Sequence, residues 1–524
     1  MLRRLTAAVA LGAALTACGS TVPLSQQQSS LQGDGLNGGT TGSADGTTSG
    51  SGDGSTTGVV DGSTGGSTSG GSTGALGTTG SSGTGGGSAT GSTGLGTTST
   101  TGTLIKGKKP IDVGFTYVKD AAAGFQAFGI QGATLGDMQL YIKTYVDDAN
   151  RRGGLAGRKI VPHYFAYDVN PGSASYPEQD AQACAALTQD VKVEVAVPIF
   201  AGDVLVQCLQ KKGIPMIADG PTGGISEASL KRFSNEVVLG GFNLDRRARE
   251  TVRNLVRQQY FATKWDTTNG GPGGVAAVKV GIITYDLPDW THSANQLAAS
   301  VAAAGLGTPK VVAVAAHDSY GDISKMQPQI SNAVLSFRTA GITHVILWDD
   351  NGVSSLFFMQ NAENQKYRPR YGITSGNNMQ LLSKGLVSKN QLTGATGMGW
   401  VPAMDIAEAK SPTSAYANSA RRACYAIVKK AGVAGGSGFN ETSSMMYCAP
   451  ITALKDRWDR MANPSASGLI AALNAYGTGF VDPQVPATFL SGSHHDGNAG
   501  VYDYYYDSPC SCMKYRGGVQ PLAR

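Results

Sequence analysis

The 524-residue sequence contains little charge. Only 15% of its residues are Asp, Glu, Lys or Arg, and the formal net charge at pH 7 is +5. Nucleic-acid-binding domains gather lysine and arginine on one face or along one helix, whereas the basic residues here are scattered. A nucleic acid is therefore not an expected partner. The chain also lacks an apolar run long enough for a retained membrane-spanning helix.

Common catalytic signatures are missing as well. The sequence has no Gly-x-Ser-x-Gly elbow, no Walker A loop and no His-Glu-x-x-His helix, and it has only six histidines. His494 and His495, followed by Asp496, suggest a metal site, but adjacent side chains on a strand point apart and an exposed loop is the favoured interpretation. Segment 397–400 does not complete a dinucleotide-binding Gly-x-Gly-x-x-Gly motif. We predict a protein that is not an enzyme and that holds no cofactor and no metal.

The first 18 residues have the pattern of an export signal. Arg3 and Arg4 precede a short apolar segment, 7–14. Residues 15–18, Leu-Thr-Ala-Cys, resemble the lipobox of bacterial lipoproteins, whose cysteine is acylated and becomes the new N-terminus. An ordinary secretory signal also ends in small residues, but it needs no cysteine there. The resemblance implies lipidation at Cys18 and a location on the outer face of the bacterial cell membrane.

Residues 19–103 are almost wholly Gly, Ser and Thr, without lysine or arginine. Such a segment buries too little apolar area to offset its ordering entropy, so we predict a disordered linker. By flexible-coil scaling its root-mean-square reach is on the order of 50 Å. The predicted role of this linker is to hold a folded domain away from the membrane.

Six cysteines remain after Cys18, an even number that suits an oxidising compartment. The predicted disulfides join cysteines on consecutive predicted helices: Cys184 with Cys208, and Cys424 with Cys448. For Cys510 and Cys512 the alternatives are a redox or metal site, a short-range bridge, or two structural thiols. The structural alternatives are favoured because neither a histidine nor a further cysteine pair lies nearby in sequence.

From residue 110 onward, strand and helix signals alternate twice over. The first series has β-rich runs at 111–117, 159–167, 193–199 and 214–218, separated by segments with helical apolar spacing such as 135–149. The second series has runs at 278–285, 310–315, 342–348 and 371–374, and two more helices are predicted near 413–431 and 444–462. A further strand is predicted at 502–506. Repeated β-α-β units with short loops predict doubly wound parallel sheets, and two such series in one chain predict two lobes.

Three sequence features carry a family resemblance. Segment 146–160 resembles the "N-x-x-G-G-I-x-G-R-x-I" connection of the type I periplasmic binding proteins, especially the branched-chain amino-acid receptors. The segment around Asp168 resembles that family's "D-D-x-x-x-P" stretch with one acid instead of two, and Gly213-Ile214-Pro215 matches its "G-I-P". The resemblance covers roughly residues 110–520. It implies two α/β lobes joined by hinge crossovers: lobe 1 from 110–238 and 400–475, and lobe 2 from 239–399 and 476–524.

In parallel sheets, ligands bind beyond the carboxyl ends of the strands. The resemblance therefore implies a solute between the lobes, held by loops that follow the strands. In lobe 1 the candidate residues are Phe200, Ala201, Gly202, Asp219, Gly220 and Thr222. In lobe 2 they are Asp286, Trp290, Trp348, Asp349 and Ser375.

Other roles are open for several of these residues. For Trp290 and Trp348, packing at a domain edge is as plausible as a wall against the ligand. Asp203 and Asp219 stand where helix N-caps belong, and capping is the favoured role for Asp203. Amino-acid-binding members of the family place a carboxylate where this sequence aligns Ser375, so we expect a small polar solute that need not be an α-amino acid. Asp349 and Asp286 are the alternative carboxylates.

These inferences converge on a lipid-anchored, extracytoplasmic substrate-binding protein of an ABC importer, with a membrane permease as partner. Closure of the two lobes on the solute would be the signal that the permease reads. The alternative is a ligand-sensing receptor subunit of the same fold without a transport partner. An enzyme on this scaffold would need a nucleophile–base pair in the cleft, and the sequence offers none.

Overall fold

The structure is a computed structural model. It describes residues 102–127, 134–170, 172–199, 201–219, 226–261, 277–316, 323–350, 352–433 and 439–523. The predicted signal segment, Cys18 and nearly all of the predicted linker lie outside these ranges. Phe200, Gly220 and Thr222 of the predicted site also lie outside them.

Strands of the described residues form two sheets. The first sheet has the order β2-β1-β3-β4-β5 and is parallel throughout. The second has the order β12-β11-β10-β9-β8-β6-β7, in which β6 to β10 are parallel and β11 and β12 antiparallel. The strands are β1 (Ile111–Lys119), β2 (Ile160–Asp168), β3 (Val195–Val197), β4 (Met216–Ala218), β5 (Glu236–Val238), β6 (Val280–Tyr285), β7 (Lys310–Val314), β8 (His344–Leu347), β9 (Arg370–Thr374), β10 (Thr396–Gly399), β11 (Gly500–Asp507) and β12 (Cys512–Pro521).

Helices connect the strands and cover the sheets. No helix in the described ranges is both long and apolar enough to span a bilayer. The helices are α1 (Ala121–Ala127), α2 (Met138–Arg151), α3 (Tyr176–Ala185), α4 (Asp203–Lys211), α5 (Glu227–Arg232), α6 (Leu244–Arg257), α7 (Pro288–Ala303), α8 (Ile323–Thr339), α9 (Val353–Asn364), α10 (Met379–Leu382), α11 (Lys389–Leu392), α12 (Pro402–Asp405), α13 (Ser419–Lys430), α14 (Phe439–Arg460) and α15 (Ala466–Asn474).

Helix α2 shows how local sequence sets these boundaries. Met138, Ile142, Tyr145 and Ala149 recur every three or four positions along it and are buried, as the spacing predicts. The helix begins after its N-cap, Asp137, which accepts a hydrogen bond from the Leu140 N–H at 2.9 Å. Thr134 accepts from the Gly136 N–H at 3.1 Å, which stabilises the turn before the helix.

Buried apolar side chains form one large cluster around each sheet. The first draws on residues 111–239 and 424–490, and the second on 244–409 and 504–515. We call each sheet with its packed helices a lobe. The chain therefore passes between the lobes at 239–244, 409–424 and 490–504. A third, smaller cluster is formed by Phe242, Met398, Trp400, Val401, Val485, Val501 and Leu522.

The C-terminal strands extend the second sheet. The predicted strand 502–506 lies within β11, which pairs antiparallel with β10 and with β12. Because β10 runs parallel to β9, these two strands complete a mixed sheet at its edge.

Three disulfides are present in the described residues. Those predicted between Cys184 and Cys208 and between Cys424 and Cys448 are formed, and they link α3 to α4 and α13 to α14. Cys510 and Cys512 are also bridged, at the turn between β11 and β12. The pair is thus a short-range bridge, one of the two structural alternatives considered for it.

Candidate functional site

Eight of the eleven predicted ligand-binding residues are described by the structure. Asp219, Asp286, Trp348, Asp349 and Ser375 come within two residues of the carboxyl end of a strand. Ala201 and Gly202 end the loop between β3 and α4, and Trp290 lies in the first turn of the helix after β6. Their environments differ, from exposed to fully buried. The eight are Ala201, Gly202, Asp219, Asp286, Trp290, Trp348, Asp349 and Ser375.

The loop after β3 is held by a carboxylate from another helix. The prediction that Asp203 caps α4 is wrong, because the N-cap is Gly202 and Asp203 is the first helical residue, where it pairs with Arg232. Buried Asp180 of α3 accepts hydrogen bonds from the Gly202 N–H and from another backbone N–H in α4. A side chain at position 202 would meet the Asp180 carboxylate at 2.3 Å. Asp180 thus takes the role predicted for Asp203.

The carboxylate after β4 belongs to a buried pair. Asp219 accepts hydrogen bonds from the Gly240 N–H at 3.0 Å and from Gln484 Nε2 at 2.7 Å, and a side-chain hydrogen bond joins it to Asp482. Burial, together with the negative charge of Asp482, raises the pKa of Asp219 well above its usual range. Asp219 is not a helix cap, since Ser226 caps α5. Its contacts fix the junction between the two lobes.

The loop after β6 begins with an exposed acid. The Asp286 N–H donates to the Val314 carbonyl at 2.7 Å, and its side chain faces solvent. Trp290 is buried in the first turn of α7, with its ring centre 5.2 Å from that of Tyr285. These two predicted residues therefore have different exposures, and only Asp286 is freely accessible to water.

Asp349, after β8, is fully engaged with the protein. Its carboxylate accepts from Ser354 Oγ at 2.6 Å, from the Ser355 N–H at 2.8 Å and from Asn377. Burial raises its pKa, and these hydrogen bonds oppose that rise. Asp349 thus holds the start of α9 against the loop after β9.

Ser375, after β9, is also hydrogen-bonded internally. Its hydroxyl donates to Asp405 Oδ2 at 2.6 Å and accepts from the Trp400 N–H at 2.7 Å. Asp405 also accepts from the Tyr515 hydroxyl and from the Val401 N–H. Burial raises the pKa of Asp405 to about 6, and the hydrogen bonds limit that rise. Ser375 therefore ties the loop after β9 to the one after β10.

At the centre of this edge of the second sheet lies a residue that the sequence analysis did not select. Arg247 of α6 is fully buried, and its Nη1 donates to Asp350 Oδ1 at 2.7 Å. Its Cζ lies 4.6 Å from the ring centre of Trp348, 5.2 Å from that of Trp290 and 5.9 Å from that of Trp400. Arg247 Nε, Arg247 Nη2 and Trp400 Nε1 have no hydrogen-bond partner among the described residues. We call these five residues the Arg247 cluster.

The sequence predicts the positions of the three tryptophans in this cluster but not the position of Arg247. Trp348 and Trp400 each directly follow a strand, and Trp290 follows another within a turn, which predicts neighbouring positions at one sheet edge. Arg247 is one of three arginines among four consecutive residues of α6, and nothing local distinguishes it from Arg246 or Arg249. Only the fold shows that Arg247 points into the core.

The site has no metal-binding character in the part of the chain that is described. No group of three or more His, Cys, Asp or Glu side chains in these ranges is arranged to hold an ion. Of the two histidines considered in the sequence, His495 donates from Nδ1 to the Glu236 carbonyl oxygen at 2.9 Å. The acid beside them, Asp496, pairs with buried Arg246.

Comparison with known proteins gives a fold but no sequence family. No family model matches the chain, and no curated protein is detectably similar to it in sequence. Among solved structures, a possible leucine/isoleucine/valine-binding protein from Rhodopirellula baltica SH 1 superposes with a TM-score of 0.53 at 12% identity, covering 78% of this chain and 96% of that one. A solute-binding protein of an ABC transporter from R. palustris, in complex with 4-hydroxybenzoate, gives 0.53 at 11% identity, with 79% and 97% covered. A branched-chain amino-acid ABC transporter protein from Thermus thermophilus with bound valine gives 0.52 at 13% identity, with 80% and 98% covered.

These similarities, together with the two parallel sheets and three crossings between lobes, define the fold. It is the α/β fold of the type I periplasmic binding proteins, as the sequence predicts. Identities of 11–13% establish the fold alone and not an activity.

Proposed function

We propose that the chain is the extracytoplasmic substrate-binding protein of an ABC importer and binds one small polar solute between its lobes. The observation that carries the proposal is the Arg247 cluster: buried donors without a protein partner, at the sheet edge where parallel α/β folds bind ligands. The cluster is also close to the first lobe. The Glu227 N–H, at the start of α5, donates to Asp245 Oδ2 on α6 at 2.7 Å, two residues before Arg247.

The solute is proposed to be amino-acid-like or a related small polar molecule. Four of the solved structures with this fold are named for bound leucine, bound valine, bound 4-hydroxybenzoate or a fatty-acid transporter. All of these compounds pair a compact polar group with an apolar body. Their names are those of binding proteins and receptors, which favours binding over catalysis.

The ligand contacts are proposed to come from both lobes. In the first lobe, the backbone around Phe200, Ala201, Gly202 and Gly220 and the Thr222 hydroxyl would approach the solute. In the second, Trp290 and Trp348 would form an apolar wall, with Asp286 at the solvent side. Asp219, Asp349 and Ser375 would shape the loops, because their polar atoms are engaged within the protein.

The domain organisation is proposed to serve this role. Residues 1–18 would be a lipoprotein signal, Cys18 the lipid attachment site, and 19–103 a linker that holds the lobes away from the membrane. The two lobes are those of the two large apolar clusters, 111–239 with 424–490 and 244–409 with 504–515, so the lobe boundaries expected at 400 and 476 fall inside the second and the first lobe respectively. An ABC permease in that membrane would then receive the solute when the closed lobes dock on it.

A second candidate is a ligand-sensing receptor subunit without a transport partner. It is supported by two solved structures with this fold that are described as extracellular ligand-binding receptors. Both candidates require the same solute site. Co-purification of a membrane permease with the full chain from detergent-solubilised cells would favour the importer.

Native mass spectrometry of the full chain purified from its source tests solute binding. We expect a population carrying one small molecule, which is lost when the protein is unfolded in urea and refolded in solute-free buffer. The refolded protein is the matched control for adducts that bind elsewhere. A single mass, identical before and after refolding, together with no saturable binding in a calorimetric screen of amino acids and organic acids, would contradict the proposal.

A further inference from the structure

We infer that Arg247 is the anion-binding group of the site and that the solute carries a carboxylate joined to an apolar body. This inference rests on the proposed function and specifies its substrate class. It rests on three buried donors of the Arg247 cluster that have no hydrogen-bond partner among the described residues: Nε and Nη2 of Arg247 and Nε1 of Trp400.

The unused groups of Arg247 form one edge of the guanidinium. Nη1 is occupied by Asp350 Oδ1 at 2.7 Å, which leaves Nε and Nη2. Those two nitrogens carry parallel N–H bonds on the same side of the planar group. This fork matches the two oxygens of a carboxylate, so one anionic group can accept both hydrogen bonds.

The burial of these unpartnered donors indicates that a ligand binds them. Arg247 and Trp400 are both fully buried, and a buried donor without a partner destabilises the folded state, more so when it is charged. A buried ion pair with a purely structural role is expected to have its remaining N–H groups satisfied by the protein. Arg246, one residue earlier, shows this pattern, since its guanidinium bonds Asp496 and the Asn498 carbonyl. Arg247 differs because its partners are incomplete.

The surroundings favour an apolar body attached to the anion. The ring centres of three tryptophans lie within 6 Å of Arg247 Cζ, and the ring of Trp348 is anchored by its Nε1 bond to Ser293 Oγ at 2.9 Å. Trp400 differs from Trp348 in that its Nε1 has no partner. A solute carboxylate on Arg247 would therefore lie beside indole rings, with a further N–H donor available to it.

The loop after β9 leaves room for this arrangement. A side chain at Gly376 would lie 2.3 Å from Asp350 Oδ1 and 3.2 Å from Arg247 Nη1. A glycine there lets Asp350 hold one end of the guanidinium, which fixes the orientation of the free edge. Asp350 is thus a positioning residue for Arg247.

Isothermal titration calorimetry with matched acid and amide probes tests the inference. The pairs are benzoate and benzamide, hexanoate and hexanamide, and L-leucine and L-leucinamide, titrated into the full chain after urea stripping and refolding. The test variant is R247Q/D350N, which removes both charges together and leaves no buried ion without a partner. R247K keeps the positive charge but not the fork. R249Q is the control, because Arg249 lies on the same helix, is exposed and pairs with Glu227.

For whichever acid–amide pair binds, we expect the wild type and R249Q to bind the acid at least about 30-fold more tightly than the amide, because only the acid accepts two charged hydrogen bonds from Arg247. In R247Q/D350N the preference should fall to within about threefold, with R247K in between; circular dichroism verifies that each variant is folded. If the double variant does not fold, the loss of preference in R247K is the deciding result.

Equal binding of acid and amide by the wild type, or an acid preference unchanged in R247Q/D350N and R247K, would overturn the inference. If only amides bind, or a neutral molecule co-purifies with the chain, the inference fails and the proposed function stands. If nothing binds and nothing co-purifies, both fail.

Discussion

The pH dependence of stability offers a sharp test of the packing around Asp405. Burial raises the pKa of this carboxyl from its ordinary value of 3.8 to about 6 in the folded protein. The folded state then keeps a proton that the unfolded state releases. The stabilisation is fully present below pH 3.8 and is lost as the pH rises through about 6. The pKa difference corresponds to about 3 kcal/mol of unfolding free energy.

Asp405→Asn is the variant that isolates this effect. Asparagine retains one side-chain oxygen to accept from Ser375, Tyr515 and the Val401 N–H, but it cannot ionise. We expect the variant to gain about 3 kcal/mol relative to the wild type between pH 4 and pH 7.5. Any constant cost of the altered hydrogen bonds shifts the whole curve and leaves this change intact.

Urea unfolding at half-unit pH intervals, followed by tryptophan fluorescence, measures the difference. Trp400 is a suitable fluorescent reporter because its backbone N–H donates to the Ser375 hydroxyl, and that hydroxyl in turn donates to Asp405. Tyr515→Phe gives a second check, since it removes a hydrogen bond that is stronger to the ionised carboxylate, so its cost should be larger at pH 8 than at pH 4. A difference between Asp405→Asn and the wild type that is the same at every pH would refute the reasoning.

Three further predictions concern stability. Burial lowers the pKa of His344 from 6.5 to about 4, so the folded state is stabilised relative to the unfolded state above pH 6.5 and loses that stabilisation as the pH falls through about 4. The free energy of unfolding of the wild type should therefore fall by about 3 kcal/mol over this range, and that of His344→Gln should not, as measured by urea unfolding from pH 4 to 7. Replacing Cys184 and Cys208 together by alanine should cost about 3 kcal/mol, because their bridge closes a loop with a sequence separation of 24; an unchanged urea midpoint would contradict this. Gly397→Ala would place a methyl group 1.7 Å from a carbonyl oxygen of β9 and should cost at least about 3 kcal/mol in thermal unfolding, whereas Gly492→Ala, with nothing within 4 Å, should cost less than about 0.5 kcal/mol.

Local sequence signals predicted the sheets well and their strand ends less well. The run 193–199 predicted a strand of seven residues, but β3 spans only Val195–Val197. The Val193 N–H bonds the Leu187 carbonyl, and the Ile199 N–H bonds the Thr116 hydroxyl at 3.1 Å. The backbone N–H at the start of the run is therefore engaged by the end of the preceding helical segment, and the one at its end by a side chain of β1 that is 83 positions away in sequence.

The prediction that Asp203 caps a helix was wrong because the rule behind it considers only neighbouring residues. The rule that Asp favours N-cap positions is local, and by that rule Asp203 is a good candidate. In the structure, Asp180, which lies 23 positions earlier, supplies the accepting carboxylate for Gly202. A carboxylate at Asp203 was then free to pair with Arg232 on the next helix. No local pattern distinguishes these two arrangements.

The sequence predicted which loops form the candidate site, but it did not predict which side chains contact one another there. The strand pattern placed Trp290 and Trp348 at one edge of the second sheet, where both are found. Arg247 and Asp350 are separated by 103 positions, and their ion pair depends on how α6 packs against that edge. The burial of Arg247 is a tertiary property, so the sequence alone could not separate it from the exposed Arg249.

We propose that a small anionic solute is held by loops at the strand ends of both lobes. A crystal structure of the full chain, purified from its source without denaturation, would show such a solute in the electron density. We expect density for one small molecule in contact with both lobes and within hydrogen-bond distance of Arg247 Nε and Nη2. Density showing these two nitrogens bonded by the protein itself, with no molecule between the lobes, would rule out this mode of binding.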